Sequence, residues 1–339
     1  MRNDTKRRHG RMNRATKLML KSVVNSLTTL MLVIILNFML FRMMPGDPIN
    51  FMISNNPRFS DELKEKLIDD FDLNAPMYVQ FVTYVENCLT FNFGNSFIER
   101  NTPAMDIVLD NLRWTLILTG TSSLFMIVIG MIIGIIGAAK RGGPFDTGSL
   151  TFSLIFYAMP TFWLGMMMIV VFSKYLAWFP SSRAISIGAS LDFSWTSISD
   201  VLWHLVLPAS SLTLVSIAAF ALIMRGSLTD VLTEEYITTA RAKGLSKGRV
   251  LKDHAVPNAM LPMVSLIAID LAFIVGGAFQ TEYVFSYPGI GWRTIDATYK
   301  MDYPVLQAAF FVITVVVIIG NFIADLLLIH MDPRIQMEG

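Results

Sequence analysis

The sequence predicts an all-α integral membrane protein with six transmembrane helices, and three observations support that prediction. Hydrophobic residues fill 53% of 339 positions, only 16% are charged, and the mean hydropathy is +0.53. A soluble domain would carry about 25% charged residues. Six apolar stretches have about the 20 residues that a bilayer-spanning helix needs. The Lys and Arg residues are also unevenly divided among the segments between these stretches.

The six predicted spans share an apolar interior with few or no charges. They are 22–41, 114–139, 148–173, 205–224, 261–279 and 304–330. The other predicted parts are a basic arm at 1–21, a long loop with amphipathic helices at 42–113, and a tail at 331–339. Residues 114–330 form the predicted core, which includes a polar loop at 225–260.

The distribution of basic residues predicts the orientation. The N-terminal arm holds eight Lys or Arg residues. If that arm is cytoplasmic, 17 Lys and Arg residues lie on the cytoplasmic side and 10 on the other, which follows the positive-inside rule. Both termini are therefore predicted to be cytoplasmic. We interpret the arm as an orientation signal that contacts lipid headgroups, and not as a nucleic-acid-binding segment.

The sequence lacks several common motifs for nucleotide binding and hydrolysis. There is no phosphate-binding G-xxxx-G-K-[S/T] loop and no G-x-S-x-G or H-E-x-x-H motif. Cys88 is the lone cysteine, so an intrachain disulfide is excluded, and the histidines lack metal-ligand spacing. The chain is predicted to be non-catalytic and to bind no cofactor or metal. Energy for any transport must come from a partner or an ion gradient.

The loop at 225–260 is predicted to contain two helices separated by a glycine. Residues 228–243 suit a helix that Gly244 would end, and Ser246 is positioned to cap a second helix running toward Pro257. This arrangement predicts an arm that projects from the membrane and contacts a partner.

The long external loop is predicted to be ordered. A rigid turn is expected at Pro45, Gly46 and Pro48, an amphipathic helix at 61–71, and a second apolar helix opening at Pro76. These helices suit either a structural cap over the outer mouth of a pore or a landing surface for a delivering partner, and both roles stay open.

Small residues and prolines mark special positions within the predicted spans. Gly130, Gly134 and Gly137 favour close helix packing. Pro160 is expected to kink the third span, and the pair Gly276 and Gly277 to loosen the fifth.

Two carboxylates lie within the predicted spans, where a charge is costly unless it faces protein or water. Asp270 is the candidate for lining a pathway. Asp325 is interpreted as a structural, hydrogen-bonded residue. Together with Pro160, Gly276 and Gly277, Asp270 makes up the set of pathway or gating candidates.

A series of motifs resembles a known family. In order they are "FRMMPGDP", "FDLNAPMYVQFVTYV", "FGNSF", "LRWTLIL", "TTARAKGLS…PNA" and an "E-x-x-F-x-x-P-G-I-G … D-Y-P" signature. The chain resembles the inner-membrane permease subunits of the ABC-type dipeptide, oligopeptide and nickel importers. On the outer side the matching residues are Pro45, Gly46, Pro48, Glu282, Pro288, Gly289 and Gly291.

The resemblance identifies 234–257 as a loop that couples to an ATPase. Gly244 and Pro257 keep the family's spacing of thirteen residues, whereas Thr238 and Thr239 replace its glutamate and alanine, and His254 replaces an aliphatic residue. The implied coupling residues are Glu235, Thr239, Ala240, Arg241, Gly244, Leu245, His254, Pro257 and Asn258.

The resemblance further implies a type I ABC importer permease in a prokaryotic plasma (inner) membrane. The implied partners are a second homologous permease, two ATPase subunits that use ATP and Mg²⁺, an extracytoplasmic substrate-binding protein and the lipid bilayer. The implied cargo is di- or oligopeptides. Nickel or another small solute carried by the same machinery stays open, as does a gradient-driven carrier that uses Asp270 as an ion site.

Overall fold

The computed structural model describes residues 14–43, 75–99, 101–189, 191–192, 194–272, 276 and 278–331. These residues form helices and loops, with one isolated β-bridge between Asn95 and Pro103. This confirms the all-α fold class for the described part of the chain. The predicted turn at Pro45, Gly46 and Pro48, the predicted helix at 61–71, and Gly277 lie outside the described residues.

The described helices are numbered in chain order. They are α1 (Arg14–Met43), α2 (Met77–Thr90), α3 (Ala104–Ala139), α4 (Pro144–Tyr157), α5 (Thr161–Met168, continued by a π-helix at Ile169–Tyr175), α6 (Trp195–Val231), α7 (Glu235–Ala242), α8 (Lys247–Val250, continued by a π-helix at Leu251–Ala255), α9 (Val256–Ala259), α10 (Leu261–Ala272), α11 (Phe279–Val284), α12 (Ile290–Lys300) and α13 (Tyr303–Met331).

Four of the described helices are long and apolar enough to cross a membrane alone. They contain Met19–Leu40, Ala104–Ala139, Trp195–Val231 and Tyr303–Leu326. The pair α4 and α5 is a fifth candidate if it is taken as one span bent by 100°. The predicted fifth span, 261–279, is described in part: α10 covers Leu261–Ala272, and Gly276 lies in an exposed turn. Six crossings stay a prediction.

Two of the spanning helices are longer than hydropathy predicted. Helix α3 begins at Ala104, ten residues before the predicted start. Helix α6 begins at Trp195, ten residues before the predicted span 205–224, and it continues through Pro208. The hydroxyl of Ser194 accepts the Ser197 N–H at 3.3 Å and caps α6. These extensions are polar at several positions, so hydropathy does not detect them.

Helices α3 and α6 pack closely along their length. A Cβ atom on Gly130 would lie 2.6 Å from Phe220 Cβ, and one on Gly134 would lie 2.7 Å from both the Ala221 carbonyl oxygen and Met224 Cβ. On the α6 side, Ala221 is fully buried. The predicted packing role of these glycines is therefore confirmed.

Three apolar clusters surround this helix pair. The first joins α1, α2 and α13 and includes the buried Cys88. The second lies near Trp114 on α3 and Phe285 after α11. The third lies at the other end of α6, around Leu228 and Ile237. The two ends of α6 therefore belong to different parts of the core.

Replacing Gly134 with Val should destabilise the protein by about 1–3 kcal/mol, because the side chain would overlap the α6 backbone. Heat unfolding in lipid nanodiscs measures this effect. The matched control is Gly120→Ala on the same helix, where nothing lies within 4 Å of the added methyl group. Equal unfolding temperatures for Gly134→Val and the wild type would contradict the packing described.

Candidate functional site: the coupling loop and the external cap

The loop between α6 and α10 contains two helical limbs. The predicted helix at 228–243 is interrupted: α6 ends at Val231, Glu234 is extended, and α7 starts at Glu235. The predicted single helix is therefore two helices separated by a short break. Gly244 ends α7 as predicted, with a φ of 81° that favours glycine.

The second limb runs from Lys247 to Ala259. Ser246 occupies its N-cap position, but its side chain makes no capping hydrogen bond. A π-helical turn at Leu251–Ala255 precedes α9, whose first turn contains Pro257. The predicted helix toward Pro257 is therefore present, and it continues through that proline to Ala259.

The loop between α6 and α10, residues 232–260, is called the coupling loop after the role that its resemblance implies, and one face of it is anchored to the core. Ile237 is fully buried and packs in the cluster that contains Met224 and Leu228 of α6. Ala240, a predicted coupling residue, is 6% exposed and belongs to this anchored face. Predicted coupling residues Leu245 and His254 are half-buried.

The opposite face is exposed, and its five cations outnumber the exposed acidic residues Glu234, Glu235 and Asp253. The predicted coupling residues on it are Glu235, Thr239, Arg241, Gly244, Pro257 and Asn258. The exposed cations are Arg241, Lys243, Lys247, Arg249 and Lys252. Among the described side chains, no salt bridge joins these cations to an acidic group. A surface of this charge suits an acidic protein partner.

At the other end of α3, a buried carboxylate organises residues 279–302, which we call the external cap because the predicted topology places them on the outer side. The Glu282 side chain is fully buried. Its Oε1 accepts the Thr115 hydroxyl at 2.7 Å, and its Oε2 accepts the backbone N–H groups of Gly291 at 2.7 Å and Trp292 at 3.0 Å. The carboxylate therefore lies at the N-terminus of α12, where the helix dipole favours an anion.

The glycines of the external signature make room for this carboxylate. A Cβ atom on Gly289 would lie 2.2 Å from Glu282 Cδ, and one on Gly291 would lie 2.8 Å from Oε2. The Pro288 carbonyl accepts the Asn111 amide of α3 at 2.6 Å. The structure thus brings the predicted residues Glu282, Pro288, Gly289 and Gly291 together.

Sequence reasoning missed two residues of this site, Asn111 and Thr115. They lie one turn apart on α3. The Thr115 hydroxyl donates to Glu282 and also accepts the Ile290 N–H at 2.8 Å. The available signal was a pair of polar residues at i, i+4 beside an apolar stretch. That signal indicates a shared face but does not identify Glu282 as the partner.

A second buried carboxylate closes the external cap. Asp302 accepts the Ser96 hydroxyl at 2.5 Å and the Phe97 N–H at 3.1 Å, which ties the segment before α3 to the start of α13. Burial raises the pKa of Asp302, and burial likewise raises the pKa of Glu282.

Pro160, Asp270 and Asp325 lie on different elements of the fold. Pro160 separates α4 from α5 at the 100° bend, so the predicted kink is a break between two helices. Asp270 is half-buried on α10 and accepts the Ser123 hydroxyl of α3 at 2.7 Å. Asp325 accepts the Ser22 hydroxyl at 2.5 Å, in agreement with its predicted hydrogen-bonded role. That Asp270 lines a pathway stays a prediction.

Comparison with family models matches nearly the whole chain. The family described as "Binding-protein-dependent transport system inner membrane component" matches residues 108–337. The corresponding N-terminal family matches residues 15–119.

Individual relatives match over similar lengths. The oligopeptide transport system permease protein AppB of Bacillus subtilis is 33% identical over 94% of this chain and 98% of its own length. The dipeptide transport system permease protein DppB of Escherichia coli K12 is 34% identical over 89% of this chain and 93% of its own length. The glutathione transport system permease protein GsiC of Escherichia coli K12 is 34% identical, over 94% and 98%.

A solved structure of the inward-facing MetNI methionine ABC transporter contains a chain of similar fold. The TM-score is 0.52 at 19% identity, and the alignment covers 67% of this chain and 97% of that one.

Replacing Glu282 with Ala should destabilise the protein by about 1–3 kcal/mol for each buried donor that loses its acceptor. Those donors are the Thr115 hydroxyl and the N–H groups of Gly291 and Trp292. Heat unfolding measures the loss, and Glu86→Ala, at an exposed glutamate on α2, is the control. A Glu282→Ala protein as stable as the control would refute the role assigned to the carboxylate.

The raised pKa of Glu282 also predicts a pH dependence. The ordinary pKa is 4.5, and because the folded state holds the proton more tightly, stability falls as the pH rises from about 4.5 through the raised value. Glu282→Gln removes this contribution. The difference in unfolding temperature, wild type minus Glu282→Gln, should therefore decrease as the pH rises from about 4.5 to the raised pKa. Below pH 4.5 this difference should be constant. A relative increase with pH would contradict the prediction.

Proposed function

This chain belongs to the family of binding-protein-dependent transport system inner membrane components, and from that premise we propose that it is the permease subunit of an ATP-driven importer of di- or oligopeptides. The relatives named for oligopeptide and dipeptide transport support the assignment of peptides as the cargo. The observation that carries the coupling role is the division of the 234–257 loop into an anchored face and an exposed, basic face.

In the proposed assembly, this chain is a non-catalytic subunit in a prokaryotic plasma membrane. It has six crossings with both termini in the cytoplasm, and a second homologous permease completes the pathway. Two ATPase subunits bind and hydrolyse ATP with Mg²⁺ below, and an extracytoplasmic binding protein delivers the peptide above. The 100° bend at Pro160 and the Asp270 carboxylate, with Gly276 and Gly277, are the proposed gating and pathway positions.

The coupling step follows from how the loop is attached. The exposed face around Thr239 and Arg241 inserts into a groove of one ATPase subunit. When ATP draws the ATPase subunits together, the loop is displaced. Because Ile237 is fully buried against the end of α6, α6 must move with it. Close packing at Gly130 and Gly134 makes α3 follow α6.

The external cap responds because α3 carries its contacts. Thr115 and Asn111 of α3 bond to Glu282 and to the Pro288 carbonyl. A displacement of α3 therefore reaches α11 and α12, which face the delivering partner in this proposal. In this proposal the binding protein contacts the external cap.

Purification of the tagged chain from its native membrane in mild detergent, followed by mass spectrometry, tests the proposed assembly. Recovery of a second permease and ATPase subunits is the expected result. Peptide bound to a co-purifying binding protein would identify the cargo, and nickel or another solute in its place would correct the peptide assignment. Recovery of the chain alone, active in vesicles without ATP, would overturn the proposal in favour of a gradient-driven carrier.

Arg241→Glu should separate ATP hydrolysis from transport, because the substitution reverses a charge on the exposed face and leaves the anchored face intact. We expect peptide taken up per ATP hydrolysed to fall about tenfold in reconstituted vesicles, within the usual range of coupling effects. Gly244→Pro should act in the same direction, since proline cannot adopt a φ of 81°.

The matched control is Lys140→Glu, which makes the same charge reversal at an exposed position on the proposed cytoplasmic side. Its uptake per ATP should equal that of the wild type. Wild-type coupling in both Arg241→Glu and Gly244→Pro would refute the assignment of this loop.

A further inference from the structure

A bidentate ion pair joins α4 to α6 near the coupling loop. Arg225 donates from Nε to Asp146 Oδ1 at 2.6 Å and from Nη2 to Oδ2 at 2.8 Å. The Gly142 N–H also donates to Oδ2, at 2.9 Å. The Asp146 side chain is only 4% exposed and that of Arg225 26%. Two parallel hydrogen bonds fix the orientation of the two side chains as well as their distance.

Helix α3 encloses the pair. A Cβ atom on Gly137 would lie 3.1 Å from Asp146 Oδ1 and 3.6 Å from Arg225 Cδ, and one on Gly134 would lie 3.0 Å from the Arg225 backbone nitrogen. The glycines that let α3 approach α6 therefore also leave the space that the ion pair occupies. Three helices meet at this point.

On the α6 side, the pair is next to both limbs of the coupling loop. Leu228, one turn beyond Arg225, is fully buried in the cluster that contains Ile237 of α7. The Ser227 hydroxyl donates to the Ala259 carbonyl at 3.0 Å, at the end of the second limb. Any displacement of the coupling loop therefore acts on the turn of α6 that holds the arginine.

On the α4 side, the pair leads toward the external cap. Helix α4 runs from the turn that contains Asp146 to Tyr157, and α5 follows after the 100° bend. On α5, a Cβ atom at Gly165 would lie 3.1 Å from the Phe285 ring, three residues beyond Glu282. Helices α4 and α5 thus connect the ion pair with the external cap by a route separate from α3.

We propose that Asp146 and Arg225 are positioning residues, an inference that rests on the importer function proposed above. They transmit displacement of the coupling loop from α6 to α4, and through the bend to the external cap. Stability alone is a poor account of such a pair, because the cost of removing two charges from water offsets much of their attraction. Its fixed geometry is what a contact between two moving helices requires.

The test uses the complete transporter reconstituted in vesicles, with ATP hydrolysis and uptake of a labelled peptide measured together. Asp146→Asn alone leaves the Arg225 charge without its partner and should weaken folding. The decisive variant combines Asp146→Asn with Arg225→Met. It removes both charges, keeps an acceptor for the Gly142 N–H, and fills the arginine's space with an apolar side chain, so that neither charge is left buried without its partner.

We expect the double variant to assemble and unfold like the wild type while uptake per ATP hydrolysed falls roughly 2- to 30-fold. The control combines Asp110→Asn with Arg113→Met, an exposed pair 3.5 Å apart, and should leave the ratio unchanged. A wild-type ratio in the double variant overturns the inference, as does a double variant that fails to assemble, since the pair would then be structural. Absence of ATP-driven uptake by the wild type instead overturns the importer function itself, and the inference with it.

Discussion

The close approach of α3 and α6 is the constraint on which the rest of this structure depends. At Gly130 and Gly134 the two helices leave no space for a Cβ atom, so their backbones are in contact. Protein interiors are close-packed and transmit displacement, so two helices joined in this way move together. The coupling loop is attached at one end of the pair through Ile237, and the external cap at the other through Thr115. The helix pair is therefore the physical connection between the two surfaces at which partners are proposed to bind.

The external cap shows how a signature of scattered residues becomes one site. A fully buried carboxylate is costly unless donors surround it, and Glu282 has a hydroxyl and two N–H groups at a helix N-terminus. That arrangement works only where Gly289 and Gly291 lack side chains. The charge, the helix start and the glycines are thus a single structural requirement, and the hydrogen bonds to α3 make the cap follow that helix.

Hydropathy and turn chemistry predicted much of this architecture. The apolar runs located four spanning helices and the bent pair α4 and α5. Gly244 predicted the end of α7, and Pro160 predicted a kink where the structure has a 100° bend between two helices. The polar first turns of α6 and the early start of α3 were not predicted, because a span is recognised only by its apolar part. The partners of Glu282 and the pair formed by Asp146 and Arg225 were also missed. Their members are 167 and 79 residues apart, and local patterns do not encode which distant polar groups meet in the folded chain.

The most direct test of the account is the energy source of transport. Vesicles containing the purified transporter, with the binding protein outside and labelled dipeptide as cargo, are loaded with ATP or given an ion gradient in its absence. The account predicts uptake with ATP and none with the gradient, because this chain supplies the pathway and its coupling loop responds to an ATPase. Uptake driven by the gradient alone, and unchanged by ATP, would contradict it.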